Sequence, residues 1–546
     1  MKYGPKGANG GNMWLLLLIS CGDAPNNDTD KSDTANTTVW TPSECGVSST
    51  PVISHPNPDR VQLVRRLQFS TEVPATAELW IDGVWKGSWA ERTEHDLPIL
   101  ELRANSTHTV SVELQCGKGS AVVGPFSVTT PPLDIPWPTT TQLVHEPDAM
   151  SPGLTLLDIG SPGTENYIAV LNDQAEPVWI WRGDEKIVDA RLMPDGTIWA
   201  MELIEIVVLD RFGNQLARYG HNPSDRDAIL LDTNELHHEV FPTEDGRLFT
   251  LGRSAQVIEG YPTTYNPDGP TATRTVEDPL VLEIEPATGE ILQEWSMLSL
   301  LEPTRIGHLG LTMNPEGLDW GHMNAVTYYP STDRLMVSLR HQDAVVQFGV
   351  DGTIDWILSH PDGWTESHEA YLLEPIGENF SWNIHQHAPT QHPTDPNRVL
   401  MFDNGNNKRI TPYDSGPGLE DSYSRFVEFE IDPESMTVQQ RWEFRDTSTG
   451  SLFSQAFGDA DYLDNGNVLG VFGFLFSEAD QRNDAQGLGL KSTRLIEVSP
   501  TTNRVVWDVR FNGDAEDAPN GWQAHRAQRI STLYEVEQTT PPTRTP

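Results

Sequence analysis

The stretch Trp382-Asn-Ile-His-Gln-His-Ala-Pro-Thr390, followed by Leu400-Met-Phe-Asp-Asn-Gly405, decides how the rest of the chain is read. It puts His385 and His387 at the start of one strand and returns a second strand ending at Asp403-Asn404-Gly405. Two earlier stretches have the same frame. They are Leu236-His-His-Glu-Val240, and Asp319-Trp-Gly-His-Met-Asn324 followed by Ser338-Leu-Arg-His-Gln342. In each, the histidine opens a strand that runs to a turn signal: Glu244-Asp-Gly246, Ser331-Thr-Asp333 or Thr394-Asp-Pro-Asn397. The histidines share one phase of a repeating hairpin.

The repeat appears from about residue 150 and runs to the tail near residue 536. Further turns fall at Pro194-Asp-Gly196 and Asp464-Asn-Gly466, and the last strand of a unit ends in tryptophan at Trp179 and Trp181, Trp295, Trp356, Trp442 and Trp507. About six units of roughly four strands each predict a six-bladed β-propeller. The tail from Ala524 to Tyr534 is expected to add a strand beside the first blade and close the ring. Residues 255–280 and 297–318 are long insertions that leave room for a seventh, degenerate blade. Ahead of the repeat, Val61-Gln-Leu-Val-Arg-Arg-Leu-Gln-Phe69, Ala77-Glu-Leu-Trp-Ile81 and Thr107-His-Thr-Val-Ser-Val-Glu-Leu114 alternate as antiparallel strands do, with Asp82-Gly83 as a hairpin turn. They predict a small N-terminal β-sandwich. Pro131-Pro132 and Pro136-Trp-Pro138 read as a stiff linker. The expected fold is all-β: a β-sandwich over 45–135 and the propeller over 145–536.

The first strand of a propeller blade lines the central channel, so three imidazoles are expected to face one axial cavity. Folding each hairpin back on itself sets Arg340 beside His322, Asp403-Asn404 beside His387, and Arg253 beside His238. One such histidine is ordinarily a surface or core residue. Agreement of phase across three blades favours a shared site.

Of the 546 residues, 36 are Lys or Arg and 79 are Asp or Glu, a formal charge of 36 − 79 = −43. That field repels phosphate backbones and excludes nucleic acid as a partner. An anion site must then be a local island of Arg and His. At the N-terminus, Lys2 and Lys6 precede the apolar run Met13-Trp-Leu-Leu-Leu-Leu-Ile-Ser20, which is too short to span a bilayer. Leu18-Ile-Ser-Cys21 resembles a bacterial lipobox. It implies a signal peptide over 1–21, lipidation of Cys21, an acidic tether over 22–44, and export to the periplasm or cell surface on a lipid anchor. In an oxidising compartment the two remaining cysteines, Cys45 and Cys116, are permitted to form a disulfide.

Neutral imidazole is a good nucleophile, with a reference pKa of about 6.5, and imidazolium or guanidinium can hold the oxygens of a sulfuryl or phosphoryl group. Three histidines and one arginine, with no carboxylate from the same motifs aimed at them, suit transfer of an anionic group. A metal is the competing chemistry, since His385 and His387 share a strand face with His392 nearby. No acid or Cys ligand recurs at matching spacing, so no metal and no cofactor are expected. Asp459, Asp461 and Asp464 are explained by a β-turn as well as by a calcium loop. No phosphate-cradling glycine loop is present.

These motifs resemble the bacterial arylsulfate sulfotransferase family. The resemblance rests on His-His-Glu at 237–239, Asp-Trp-Gly-His-Met-Asn at 319–324 with Ser-Leu-Arg-His-Gln at 338–342, Gln-His-Ala-Pro at 386–389 with Phe-Asp-Asn-Gly at 402–405, and Arg-Ala-x-Arg at 526–529. It implies two-step transfer of a sulfuryl group from a phenolic sulfate ester to a phenol, with no adenylyl-sulfate donor. His387 matches the transiently sulfurylated nucleophile. His238, His322 and Arg340 match groups that bind sulfuryl oxygens, with Asn324 beside them. His237, His385, Asn404 and Arg253 are expected to shape the substrate pocket. A homodimer is allowed for. The alternatives are a non-catalytic lipoprotein propeller that binds a ligand or partner, and a metal- or quinone-dependent channel enzyme.

Overall fold

The computed structural model describes residues 45–117, 119–221, 228–266, 268–406, 422–447, 452–476, 490–513 and 520–534. The chain divides into two units, 1–35 and 36–546, and every described residue belongs to the second. The signal peptide, Cys21 and the tether lie outside the described residues. No described helix is long and apolar enough to cross a membrane.

The N-terminal strands are Val52–Ser54, Arg65–Ile81, Val84–Ile99, Thr107–Cys116 and Gly119–Thr129, joined in one antiparallel sheet. Along Arg65–Ile81 the buried positions alternate, as the sequence pattern requires. An irregularity between Ser70 and Ala75 lets that long strand serve two neighbours: Val52–Ser54 along its first half and Thr107–Cys116 along its second. Asp82 and Gly83 both take positive φ, 51° and 78°, as a tight hairpin turn demands. Cys45 and Cys116 are bonded to each other, with Cα atoms 5.8 Å apart. The apolar face of this sheet runs into Trp179, Trp181, Val207 and Leu209, so the small unit shares one core with the first two blades.

Among the described residues six further sheets follow. Blade 1 holds Leu154–Ser161, Glu165–Leu171 and Pro177–Arg182, and the C-terminal strand Ala527–Ile530 pairs inside it and closes the ring. The inner strands of blades 2 to 6 are Ile187–Leu192, Leu236–Pro242, Met323–Tyr329, His387–His392 and Asp459–Tyr462. These inner strands pack against one another around the axis. The tryptophan repeat has a physical cause. Blades diverge outward, and a large ring fills the wedge while its N–H satisfies the next blade. Thus Trp179 Nε1 donates to Arg211 O at 2.9 Å, Trp295 Nε1 to Val350 O at 3.0 Å, and Trp507 Nε1 to Asp173 O at 3.0 Å.

The two insertions add no seventh sheet among the described residues. Residues 255–280 lengthen a hairpin of blade 3, whose strands Leu248–Pro262 and Thr271–Ile284 stay paired out to Pro262 and Thr271. Residues 297–318 form a short helix, Met297–Leu300, and a loop that returns to the channel mouth. Gly307 lets this loop lie on the backbone: a Cβ there would come within 1.4 Å of His341 O.

Candidate active site

Each of the three histidine motifs interrupts its own ladder. The register shifts between His237 and Val240, between Met323 and Ala325, and between His387 and Thr390. His238, His322, His385 and Ala388 take positive φ of 60°, 44°, 54° and 48°. Such angles are unfavourable for residues with a Cβ and concentrate where a backbone is held for function. The irregularities turn the leading residues out of the sheet plane. They also correct one expected pairing. Arg253 does not meet His238, because the bulge shifts the register and His237 pairs with Leu251. Arg253 is instead ion-paired with Glu277 at 3.2 Å and Glu235 at 3.7 Å. The other two pairings hold approximately: Arg340 N donates to His322 O at 3.3 Å, and His387 pairs with Phe402, one residue short of Asp403.

The imidazoles form a continuous arc. Ring centroids are 5.9 Å apart for His387–His525, 6.0 Å for His525–His238, 5.3 Å for His238–His322, 4.6 Å for His322–His341, 5.8 Å for His341–His385 and 5.1 Å for His385–His308. His238, His322, His385 and His387 were expected here; His308, His341 and His525 were not. His392 lies apart, with its ring on Tyr462.

Hydrogen-bond direction fixes the tautomers. Asn404 Nδ2 donates to Ser454 O and Phe457 O, both at 2.7 Å, so its Oδ1 must accept. His387 Nδ1–H donates to that oxygen at 2.6 Å, which leaves the lone pair on Nε2. His237 Nε2–H donates to Gly252 O at 3.3 Å, so His237 Nδ1 accepts from His238 Nδ1–H at 2.9 Å. His238, not His237, is then left with a free Nε2, and its ring lies next to those of His322 and His525; His237 positions it. His341 Nδ1–H donates to Asp319 O at 2.8 Å, and its Nε2 accepts from Arg340 at 3.0 Å. Arg340 also donates to Gln455 O at 3.1 Å, while its Nε has no partner among the described residues. Asn324 donates to Gln386 O at 2.9 Å and leaves its buried Oδ1 without one. His385 Nε2–H donates to His308 O at 3.3 Å.

Burial pushes the imidazoles of His237, His238, His341, His385, His387 and His525 well below 6.5, so they are neutral near pH 7. Burial lowers Arg340 to about 10, which leaves it charged there. One expectation is overturned. A carboxylate from the motifs does face the cluster: Asp319 accepts from His322 Nδ1 at 2.7 Å, because the turn from 319 to 322 folds the chain back on itself. Burial opposes its ionisation, but His322, His341 and Arg253 outweigh it and hold Asp319 below the usual carboxylate range. Asp319, His322 and His341 have ligand atoms within 4.8 Å of one another. A divalent ion there would have to displace the hydrogen bonds that both histidines make to Asp319. Glu239 points the other way, to Arg191 and Arg526 beneath the site.

A cavity of about 750 Å³ lies at the far end of the inner strands among Pro242, Thr243 and Ser531, and no histidine lines it. A cavity of about 300 Å³ adjoins the arc and is lined by His525, Lys186, Phe457 and Asp158 among others.

A family model described as Arylsulfotransferase (ASST) matches residues 140–523. The arylsulfate sulfotransferase AssT of Escherichia coli O6:H1 is 26% identical over 284 residues, which cover 43% of this chain and 44% of that one. AssT of Lelliottia amnigena is 24% identical over 334 residues, covering 53% of this chain and 52% of that one. The chain thus spans about half the length of the curated relatives it matches. Among solved structures, a protein of unknown function from Bacteroides caccae is 13% identical over 69% of this chain and 100% of that one, with a TM-score of 0.38.

Proposed function

The chain belongs to the arylsulfotransferase family, and from that premise we propose that it moves a sulfuryl group from a phenolic sulfate ester to a phenol through a sulfo-histidine at His387. The observation that carries this reading is the bond from His387 to Asn404, which commits Nδ1 as a donor and frees Nε2 as a nucleophile. Arg340 is charged and carries N–H groups that can donate to the sulfuryl oxygens, while His322 and His238, whose Nδ1–H groups are taken up by Asp319 and His237, donate to them only when Nε2 is protonated. In the first step His387 Nε2 attacks sulfur, the S–O bond breaks and the phenolate leaves. In the second, the acceptor oxygen attacks sulfur, the N–S bond breaks and its electron pair returns to Nε2. Transfer of this kind passes through a loose transition state, so fixed positions and positive charge supply most of the rate.

Mixing the protein with 4-nitrophenyl sulfate and no acceptor should release one equivalent of nitrophenol per site and leave a sulfurylated peptide containing His387. Added phenol should then sustain turnover, and His387→Asn should abolish both. Turnover by that variant, or label elsewhere, would reject the assignment. Failure of wild type to react would favour a ligand-binding propeller. We also propose export and a lipid anchor at Cys21, supported by the charged and apolar run that precedes it. A mature N-terminus lacking a diacylglyceryl mass would reject the anchor.

A further inference from the structure

The six blades each present a residue at the leading end of the inner strand. In ring order these are His525, Lys186, His238, His322, His387 and Phe457, ahead of or within Ala527–Ile530, Ile187–Leu192, Leu236–Pro242, Met323–Tyr329, His387–His392 and Asp459–Tyr462. Three of them, on blades 3 to 5, belong to the sulfuryl side. The other three, on blades 6, 1 and 2, line the cavity of about 300 Å³ together. Lys186 Nζ lies 4.2 Å over the Phe457 ring, and Phe457 packs on His525 at 5.1 Å between centroids. An aromatic face and a cation in one small cavity suit a phenol or phenolate.

His525 joins the two halves. It is 1% exposed, yet among the described residues neither ring nitrogen has a hydrogen-bond partner. A buried polar group without a partner is costly and calls for an explanation. Its backbone is clamped in place: Asp158 accepts from His525 N at 2.8 Å and from Arg526 N at 2.7 Å. Its ring lies against His387 and His238 on one side and against the cavity on the other.

We propose that His525 is a further catalytic residue that carries the proton of the aryl oxygen, and that the Lys186–Phe457 cavity seats the aromatic ring. The proposal rests on the sulfuryl-transfer reading. In the acceptor step a His525 nitrogen takes the phenol proton as the oxygen attacks sulfur on His387. In the next donor step the resulting imidazolium returns that proton to the departing phenolate as its S–O bond breaks. One proton is thus taken and returned in each cycle.

The test compares His525→Gln with wild type in the single-turnover reaction of the sulfurylated enzyme with two acceptors at about pH 8.5, where 4-nitrophenol is ionised and phenol is not. 4-Nitrophenolate brings no proton, so with it the variant should stay within about threefold of wild type. With phenol it should slow by about 100-fold or more, the range of general base catalysis. A retained nitrophenol burst from 4-nitrophenyl sulfate shows that the variant is folded. Equal losses on both acceptors in a variant that melts as wild type does, or no loss on either, would overturn the role. Wild type supplies a check that needs no variant: a solvent deuterium isotope effect with phenol and none with 4-nitrophenolate. Equal effects on both would overturn it. A wild type that never sulfurylates His387 would overturn this inference and the parent reading together, and so is distinguishable from failure of His525 alone.

Discussion

Replacing Asn404 by alanine isolates the bond on which the proposed nucleophile, His387, depends. The side chain makes three hydrogen bonds, one accepted from His387 Nδ1–H at 2.6 Å and two donated at 2.7 Å to Ser454 O and Phe457 O. Without Oδ1, His387 either holds an unpaired buried N–H or moves its proton to Nε2. The first costs about 1–3 kcal/mol. The second removes the reactive lone pair, so attack must first recover a comparable energy. At about 1.4 kcal/mol per decade, the sulfurylation rate should fall by about 5- to 150-fold. Stability should fall as well, but less than the bond count suggests. Ser454 O keeps Ser424 Oγ at 3.3 Å, so only Phe457 O is left without its donor, at a cost of about 1–3 kcal/mol. Stopped-flow release of nitrophenol gives the first number and a urea titration the second. A burst rate within twofold of wild type, in a variant shown to be destabilised, would refute the claim that Asn404 sets the His387 tautomer.

The pH profile should be broad. The His387 pKa is lowered by burial, so the neutral nucleophile persists as pH falls past 6.5 and is lost only well below it; kcat/KM should fall on the alkaline side near pH 10, where Arg340 loses its charge. An acid limb centred near 6.5 would contradict the burial of the nucleophile. Arg340→Lys should cost about 10- to 100-fold in turnover, because one ammonium cannot reach both His341 Nε2 and Gln455 O and still face a sulfuryl oxygen; near wild-type rates would make the guanidinium structural. Trp295→Phe should lower unfolding free energy by about 1 kcal/mol through the lost bond to Val350 O, with no change in the nitrophenol burst. Added salt up to about 0.3 M should raise kcat/KM for an anionic donor, since it screens long-range repulsion by a chain of charge −43; a steady decline would show that the local cations dominate approach.

The sheet order and blade count were legible because both are periodic. Turn residues at regular intervals and a tryptophan closing each unit report hairpins and the wedge between blades. Local backbone geometry was not. The bulges after His237, at Met323 and after His387 carry no residue signature, so the fold-back that linked His322 to Arg340 failed for His238 and Arg253. His341 was inside a recognised motif but was overlooked, because strand alternation sends it away from Arg340. The short 3₁₀ turn Arg340–Gln342 that ends the strand buries both side chains instead. His308 sits in a loop with no period to read. His525 could have been found: it stands ahead of the closing strand as His322 stands ahead of its own. The phase rule applied to the tail, and not to the three motifs alone, would have flagged it.

Under the proposed transfer of a sulfuryl group, a strongly acidic chain must keep its carboxylates off the reacting group, and the layering of the site serves this. Glu239, next in sequence to His238, is turned beneath the channel floor to Arg191 and Arg526, with Asp189 beside them. Asp319 is taken up by His322 Nδ1, and its backbone carbonyl by His341 Nδ1, while Asp343 and Asp158 are turned to the backbone N–H groups of His385 and of His525 and Arg526. What remains facing the cluster is one guanidinium and several imidazoles kept neutral by burial. In a low-dielectric hollow a single fixed cation acts more strongly than several would at the surface. The same burial that strengthens the field of Arg340 keeps His387 unprotonated, as the proposed nucleophile must be. The two requirements that conflict in water, a positive environment and a neutral base, are reconciled by putting the charge on the group that burial lowers only to about 10 and the lone pair on the group that it lowers well below 6.5.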